Sequence, residues 1–263
     1  MEMLWVVLVL GIVEGLTEFL PVSSTGHLIL ASHLLRFGGR RAEAFTVFIQ
    51  LGAILAVVWE YRLRLLAVVR DLPKRPEARR FAGSLALAFL PSALLGLAAH
   101  DWISARLFHP RTVAAALVVG AVLIFAVEAR PRRPRTSRAE AVDWKQALGI
   151  GCAQCLSLWP GFSRSAATIL GGLTAGLDRT AATEFSFFLA IPTMVAATLY
   201  DLLKNRDALL PGDGGWLAAA FALSFLVAWA SIRWLLRYVS RHDFRPFAWY
   251  RLALGALVLL LFS

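Results

Sequence analysis

Glu14 and Glu18 stand inside an apolar N-terminal run, Gly11 to Leu28 (GIVEGLTEFLPVSSTGHL), followed within ten residues by Ser23, Ser24, Thr25 and His27. The four-residue spacing puts both carboxylates on one face of a helix. Pro21 ends that helix, and Ser23-Ser24-Thr25 supplies cap residues for a new one running through His27. A second stretch, Trp159 to Thr168 (WPGFSRSAAT), repeats the arrangement: apolar lead, proline break, hydroxyl-rich restart. Two helix N-termini aimed at one spot present free N–H groups and positive dipole ends, which bind anions. Arg164 adds a bidentate fork suited to phosphate oxygens. Ser23, Thr25, Ser163, Ser165 and Thr168 can donate further hydrogen bonds, so these residues are the expected phosphate cradle. Ser24 or His27 can attack phosphorus if a neighbouring base activates it. Glu14 and Glu18 can move protons or hold a divalent cation that bridges a diphosphate.

The elements that carry these groups belong in a membrane. Hydrophobic residues make up 59% of the 263-residue chain and charged residues 17%, with mean hydropathy +0.66; soluble domains run nearer 45–50% and about 25%. The net charge of +10 comes from Lys and Arg clustered between apolar runs, the signature of a polytopic membrane protein rather than of nucleic-acid binding. Glu2 is the first charge and no basic n-region precedes the apolar run, so a cleavable signal peptide is not expected. Cys152 and Cys155 form a CAQC spacing without a second Cys or His pair nearby, and are expected to pack between helices.

Each arm flanking Pro21 is shorter than the roughly 20 residues a span needs. That length predicts a re-entrant hairpin, whose backbone break is tolerable only where it lines a cavity. Three spans follow, Ala44–Tyr61, Phe81–Ala99 and Thr112–Val127. Beyond the basic stretch Arg130–Lys145 the pattern returns: a broken arm pair over Gly149–Gly176, then spans over Glu184–Tyr200, Trp216–Ile232 and Phe247–Phe262. Glu43–Val58 aligns with Thr183–Thr198 at an offset of 140 residues, and Pro21 with Pro160 at 139. The expected fold is therefore all-α, one membrane domain built as an inverted-topology repeat. Repeat one covers residues 1–129, a cytoplasmic linker 130–146 and repeat two 147–263, each repeat a re-entrant helical hairpin plus three transmembrane helices. Lys and Arg number seven in Arg62–Arg80, six in Arg130–Lys145 and three in Arg237–Arg245, against two each in 100–111 and 201–215. Placing the richer loops in the cytoplasm puts both termini outside and brings the hairpins together near the midplane. Arg251, about four residues into the last span, is expected to snorkel to the cytoplasmic side.

Charged groups at the bilayer centre cost roughly 2.5–3.5 kcal/mol each on insertion scales, so Glu14, Glu18 and Arg164 must pair with one another, with water or with a ligand. Glu14–His27 (EGLTEFLPVSSTGH) and Pro160–Thr168 (PGFSRSAAT) resemble the two signature motifs of the bacterial undecaprenyl-pyrophosphate phosphatase family associated with bacitracin resistance. The similarity continues through Phe48–Val58 and Thr183–Pro192 and so covers nearly the whole chain. The resemblance implies an inner-membrane hydrolase acting on the diphosphate of a C55 polyprenyl carrier, recycled for peptidoglycan, with an inverted repeat and a divalent cation, Mg²⁺ or Ca²⁺. Carried over by position, it assigns Glu14, Glu18, Ser24 and His27 from the first motif, and Ser163, Arg164 and Thr168 from the second. It does not settle the nucleophile: Ser24 with His27 as its base or proton shuttle leads, followed by direct attack from His27, then by water. A transporter or flippase of polyprenyl phosphate is the rival class, because inverted repeats and broken helices serve transport too. A homodimer is expected only on the general habit of membrane proteins. A type 2 phosphatidic acid phosphatase is rejected, since no histidine follows Arg164 at suitable spacing.

Overall fold

The computed structural model describes residues 2–130, 133–204 and 212–262. Arg132 and Arg206, both counted in the charge asymmetry, lie outside them. The α-helices of the described residues are α1 (Glu2–Thr17), α2 (Ser24–Leu34), α3 (Gly39–Glu60), α4 (Arg62–Asp71), α5 (Pro76–Leu107), α6 (Pro110–Glu128), α7 (Trp144–Gln154), α8 (Arg164–Thr174), α9 (Arg179–Lys204), α10 (Gly214–Val239) and α11 (Arg245–Phe262). Among the described residues the sheet-like pairing is one isolated bridge, Thr136 to Leu177. α5, α6, α9, α10 and α11 are long and apolar enough to cross a membrane. The apolar part of α3 runs from Phe45 to Glu60 and that of α1 from Met3 to Thr17, both shorter. Sequence periodicity overlooked α4, a helix in the basic loop between α3 and α5.

Local chemistry accounts for the boundaries. Pro76 and Pro110 occupy first-turn positions of α5 and α6, where the missing N–H costs nothing. Asp143 caps α7 by accepting from the N–H groups of Lys145 and Gln146, both at 2.9 Å, while Gln146 reaches back to the Asp143 N–H at 3.1 Å; this is a capping box. The two short helices α2 and α8 are bounded alike. Each has 11 residues and an N-cap serine, Ser23 or Ser163. Each also ends in a Schellman motif: Phe37 N–H to Ser32 O and Arg36 N–H to His33 O in one, Leu177 N–H to Gly172 O and Gly176 N–H to Leu173 O in the other.

α1 packs against α10 and α3, α7 against α5 and α8, α3 against α9, and α6 against α11. Glycines let some of these backbones touch. A Cβ at Gly151 of α7 would lie 2.5 Å from the Ala88 carbonyl oxygen of α5, a close approach of the kind membrane helices make with small residues. Gly151→Val is therefore expected to lower stability by about 1–3 kcal/mol through overpacking. Gly83→Ala, where a Cβ meets open space, should be neutral or slightly stabilising. Tryptophan-monitored thermal unfolding in detergent separates the two; equal midpoints would contradict the packing argument.

Ion clusters tie the helix ends together. Arg64 of α4 bonds Glu184 of α9 at 2.8 Å and Glu140 of the linker at 2.9 Å. Burial pushes the Glu140 carboxyl up, but the Arg64 hydrogen bonds prevail and hold it below the ordinary carboxylate value. Arg179 of α9 forks onto Glu128 of α6 at 3.0 and 2.6 Å. Cys152 of α7 is exposed, so the expected packing between helices fails for it, while Cys155, just past the end of α7, is half-buried.

Candidate active site

The break after α1 and the start of α8 meet. Glu18 accepts a hydrogen bond on each carboxylate oxygen: Ser24 Oγ donates to Oε2 at 2.5 Å, and Arg164 Nη2 donates to Oε1 at 3.3 Å. Glu18 and Ser24 are each 8% exposed. Three elements thus supply one cluster: α1 and its extension, the first residue of α2 and the first residue of α8. Ser165 Oγ–H donates to the Leu20 carbonyl at 2.7 Å and lies 3.0 Å from Ser163 Oγ, fastening the second hairpin to the first.

Both N-cap serines adopt positive φ, 72° at Ser23 and 78° at Ser163, a conformation non-glycine residues rarely hold outside over-determined sites. Their hydroxyls accept the N–H of Gly26 (3.3 Å) and Ala166 (3.2 Å). Those bonds leave the N–H groups of residues 24, 25, 164 and 165 for an anion at the two helix starts. Arg164 Nη1 donates to the Ser186 carbonyl at 3.1 Å, its Nε is buried without a partner, and its guanidinium lies 5.7 Å from the Phe19 ring centroid. Thr168 Oγ1 lies 2.6 Å from Ser186 Oγ, which turns Thr168 into support for the arginine.

Glu14 is wholly buried one turn before Glu18, and neither of its carboxylate oxygens has a hydrogen-bond partner. Two unpartnered carboxylate oxygens at this depth need a proton or a cation. Among the described residues no group of three or more His, Cys, Asp or Glu is poised for a metal, so a cation here would draw on Glu14, Glu18 and ligand oxygens. Thr25, next to Ser24, is half-buried and takes no part in these bonds. His27 turns away from the Ser24 hydroxyl: Nδ1 faces the Ser23 carbonyl and Nε2 the Tyr250 hydroxyl, each at 2.7 Å. The Ser24 hydroxyl instead donates its hydrogen bond to Glu18.

Arg251 corrects a second expectation. It is 0% exposed and does not snorkel. It donates to the carbonyls of Leu117 (3.1 Å), Ala116 (3.0 Å), Pro21 (3.2 Å) and Gly161 (3.2 Å), joining both hairpin turns to α6. Arg251, Ser186 and Tyr250 are the residues that sequence reasoning missed. Of these, only Ser186 lay in a stretch that carried the resemblance.

The family model for the bacitracin resistance protein BacA matches residues 7–257. The undecaprenyl-diphosphatase of Nitrosospira multiformis is 58% identical over 253 residues, covering 96% of this chain and 93% of the relative. That of Nitrosomonas europaea is 56% identical over 253 residues, with 96% and 92% covered. That of Pseudomonas aeruginosa PAO1 is 54% identical over 254 residues, with 95% and 91% covered.

Proposed function

The chain belongs to the BacA family of bacitracin resistance proteins, and from that premise we propose how its site works as an undecaprenyl-diphosphatase. The protein is a multi-pass bacterial inner-membrane hydrolase that converts undecaprenyl diphosphate to undecaprenyl phosphate and inorganic phosphate. It thereby recycles the lipid carrier for cell-wall synthesis and confers bacitracin resistance. The observation that carries the mechanism is the Ser24–Glu18–Arg164 chain. As the Ser24 oxygen attacks the terminal phosphorus, its proton passes to Glu18 along the existing hydrogen bond. The anhydride P–O bond breaks and undecaprenyl phosphate leaves, with a phosphoserine remaining. Water then attacks the phosphoserine, its P–Oγ bond breaks as Glu18 returns the proton to the Ser24 oxygen, and the hydrogens of the water leave on inorganic phosphate. Arg164 and the N–H groups at the two helix starts hold the non-bridging oxygens, which is the positioning and charge stabilisation phosphoryl transfer demands. Ser23, Ser163 and Ser165 keep those helix starts in place.

A divalent cation, Mg²⁺ or Ca²⁺, fits the unpartnered oxygens of Glu14 with Glu18 beside them, and when bound it would neutralise diphosphate charge. The two halves are an inverted repeat in this reading. What supports it is the spacing of 140 residues between Ser23 and Ser163 and between the Schellman positions Arg36 and Gly176. The exchanged packing of α1 on α10 and α7 on α5 points the same way. With the basic loops inside, both termini lie outside.

The test is phosphate release from C55 polyprenyl diphosphate by purified protein in detergent. Wild type should turn over, Ser24→Ala and Arg164→Ala should fall by about a hundredfold or more, and EDTA should lower wild-type activity. Folded wild type that binds the lipid yet releases no phosphate would move the assignment to a polyprenyl-phosphate transporter; EDTA resistance would remove the cation.

A further inference from the structure

The proposed mechanism leaves one contact unused, between His27 of α2 and Tyr250 of α11. A carbonyl oxygen has no proton to give, so the 2.7 Å contact between His27 Nδ1 and the Ser23 carbonyl requires hydrogen on Nδ1. In the neutral ring the only lone pair then sits on Nε2, and the Tyr250 hydroxyl 2.7 Å away is its donor. The two ring planes lie within 6° of each other with centroids 5.5 Å apart, the near-coplanar arrangement that an in-plane bond to the Nε2 lone pair gives. The imidazole is thus held at both nitrogens. Its Nδ1 side grips the carbonyl of Ser23, the residue at φ 72° immediately before Ser24. A strained backbone persists only when its surroundings over-determine it, and this chain of contacts runs from α11 to the peptide that aims the Ser24 oxygen.

We propose that Tyr250 is a positioning residue for phosphoryl transfer: its hydroxyl fixes His27, and through His27 the Ser23–Ser24 peptide. Tyr250 makes no hydrogen bond to Glu18, Ser24 or Arg164, and its hydroxyl, on a residue 48% exposed, has His27 as its partner. The inference rests on the phosphatase reading for its consequence and on the ring contacts alone for its structure, and the two are tested separately.

Tyr250→Phe keeps the aromatic ring and removes the hydroxyl. The expected result is a fall in kcat of about tenfold, the scale of one hydrogen bond, with KM within twofold, because the cradle of Arg164 and helix N–H groups is untouched. In a double-mutant cycle, His27→Ala with Tyr250→Phe should be no slower than His27→Ala alone, since both act along one chain. Independently of turnover, ¹⁵N spectra of histidine-labelled protein in detergent should show one ring with hydrogen on Nδ1. That ring is assigned by its loss in His27→Ala, and its Nε2 signal should move in Tyr250→Phe. An unmoved Nε2 signal, an unchanged kcat, or losses that multiply in the double variant each overturn the proposal. If wild type releases no phosphate, the phosphatase reading fails, and the Nε2 signal still decides whether Tyr250 holds His27.

Discussion

Replacing Glu18 by glutamine is expected to lower kcat for undecaprenyl diphosphate by about 10²–10⁴-fold, the range for loss of a positioned general base. Glutamine has the same shape and its amide oxygen can still accept from the Ser24 hydroxyl, as Glu18 does now at 2.5 Å. What it cannot do is keep the proton when the serine oxygen attacks phosphorus. The Arg164 contact at 3.3 Å is the second consequence. Without the carboxylate charge, the guanidinium is free to turn wholly to the phosphate oxygens, so KM should hold or fall while kcat collapses. That split distinguishes a base from a binding residue. Arg164→Lys should behave oppositely, raising KM as well, because a lysine ammonium cannot reproduce the planar fork. Steady-state phosphate release in detergent, alongside thermal unfolding of each variant, checks both. Glu18→Gln retaining activity within tenfold of wild type would remove Glu18 from the proton path.

Much of this site is legible in the residues themselves, because its parts are local. Pro21 and Pro160 stand in the two breaks, and a serine after each break caps the next helix. The two short helices and the serines at their starts follow from composition and spacing alone. That Glu18 sits on Ser24 is also nearly local, the two being six residues apart. What the sequence hides is closure over distance. Arg251 reads as a snorkelling residue because it stands near the start of an apolar span. Its actual partners, Pro21 and Gly161, are 230 and 90 residues away and have no side-chain donor or acceptor to give notice of the contact. Tyr250 is similar, an aromatic residue near a segment end that looks like an interfacial anchor until His27 is placed against it. His27 itself was legible as chemistry but not as geometry: nothing in SSTGH indicates that the imidazole turns back to its own N-cap carbonyl. α4 escaped because its mixed Arg and Leu pattern, RLRLLAVVRD, reads as a charged loop.

Displacing Arg251 is expected to disable the enzyme without touching any group that contacts substrate. Four hydrogen bonds from one guanidinium span α6 and both hairpin turns, and the turn carbonyls of Pro21 and Gly161 are not tied up in helical bonding. Losing their donor leaves buried acceptors unsatisfied, each worth about 1–3 kcal/mol. Arg251→Met should therefore lower both stability and activity, an outcome that a general folding defect would also give. Gly120→Ala separates the two. A Cβ at Gly120 would fall 2.1 Å from Arg251 Nη2, so the guanidinium must shift away from the carbonyls it holds while keeping its charge and its helix. The hairpin turns then lose their common anchor, and the spacing between Ser24 and Arg164, set by those turns, loosens. A displacement near 1 Å at a reacting centre costs on the order of 10²-fold in rate. Gly120→Ala should thus lose about that much kcat while its unfolding midpoint falls less than that of Arg251→Met. A Gly120→Ala protein as active as wild type would mean that the two hairpins hold each other, through Ser165 on the Leu20 carbonyl and Arg164 on Glu18, without the help of α11. A loss of activity at nearly preserved stability would assign the distance between the two halves of the site to a single buried arginine.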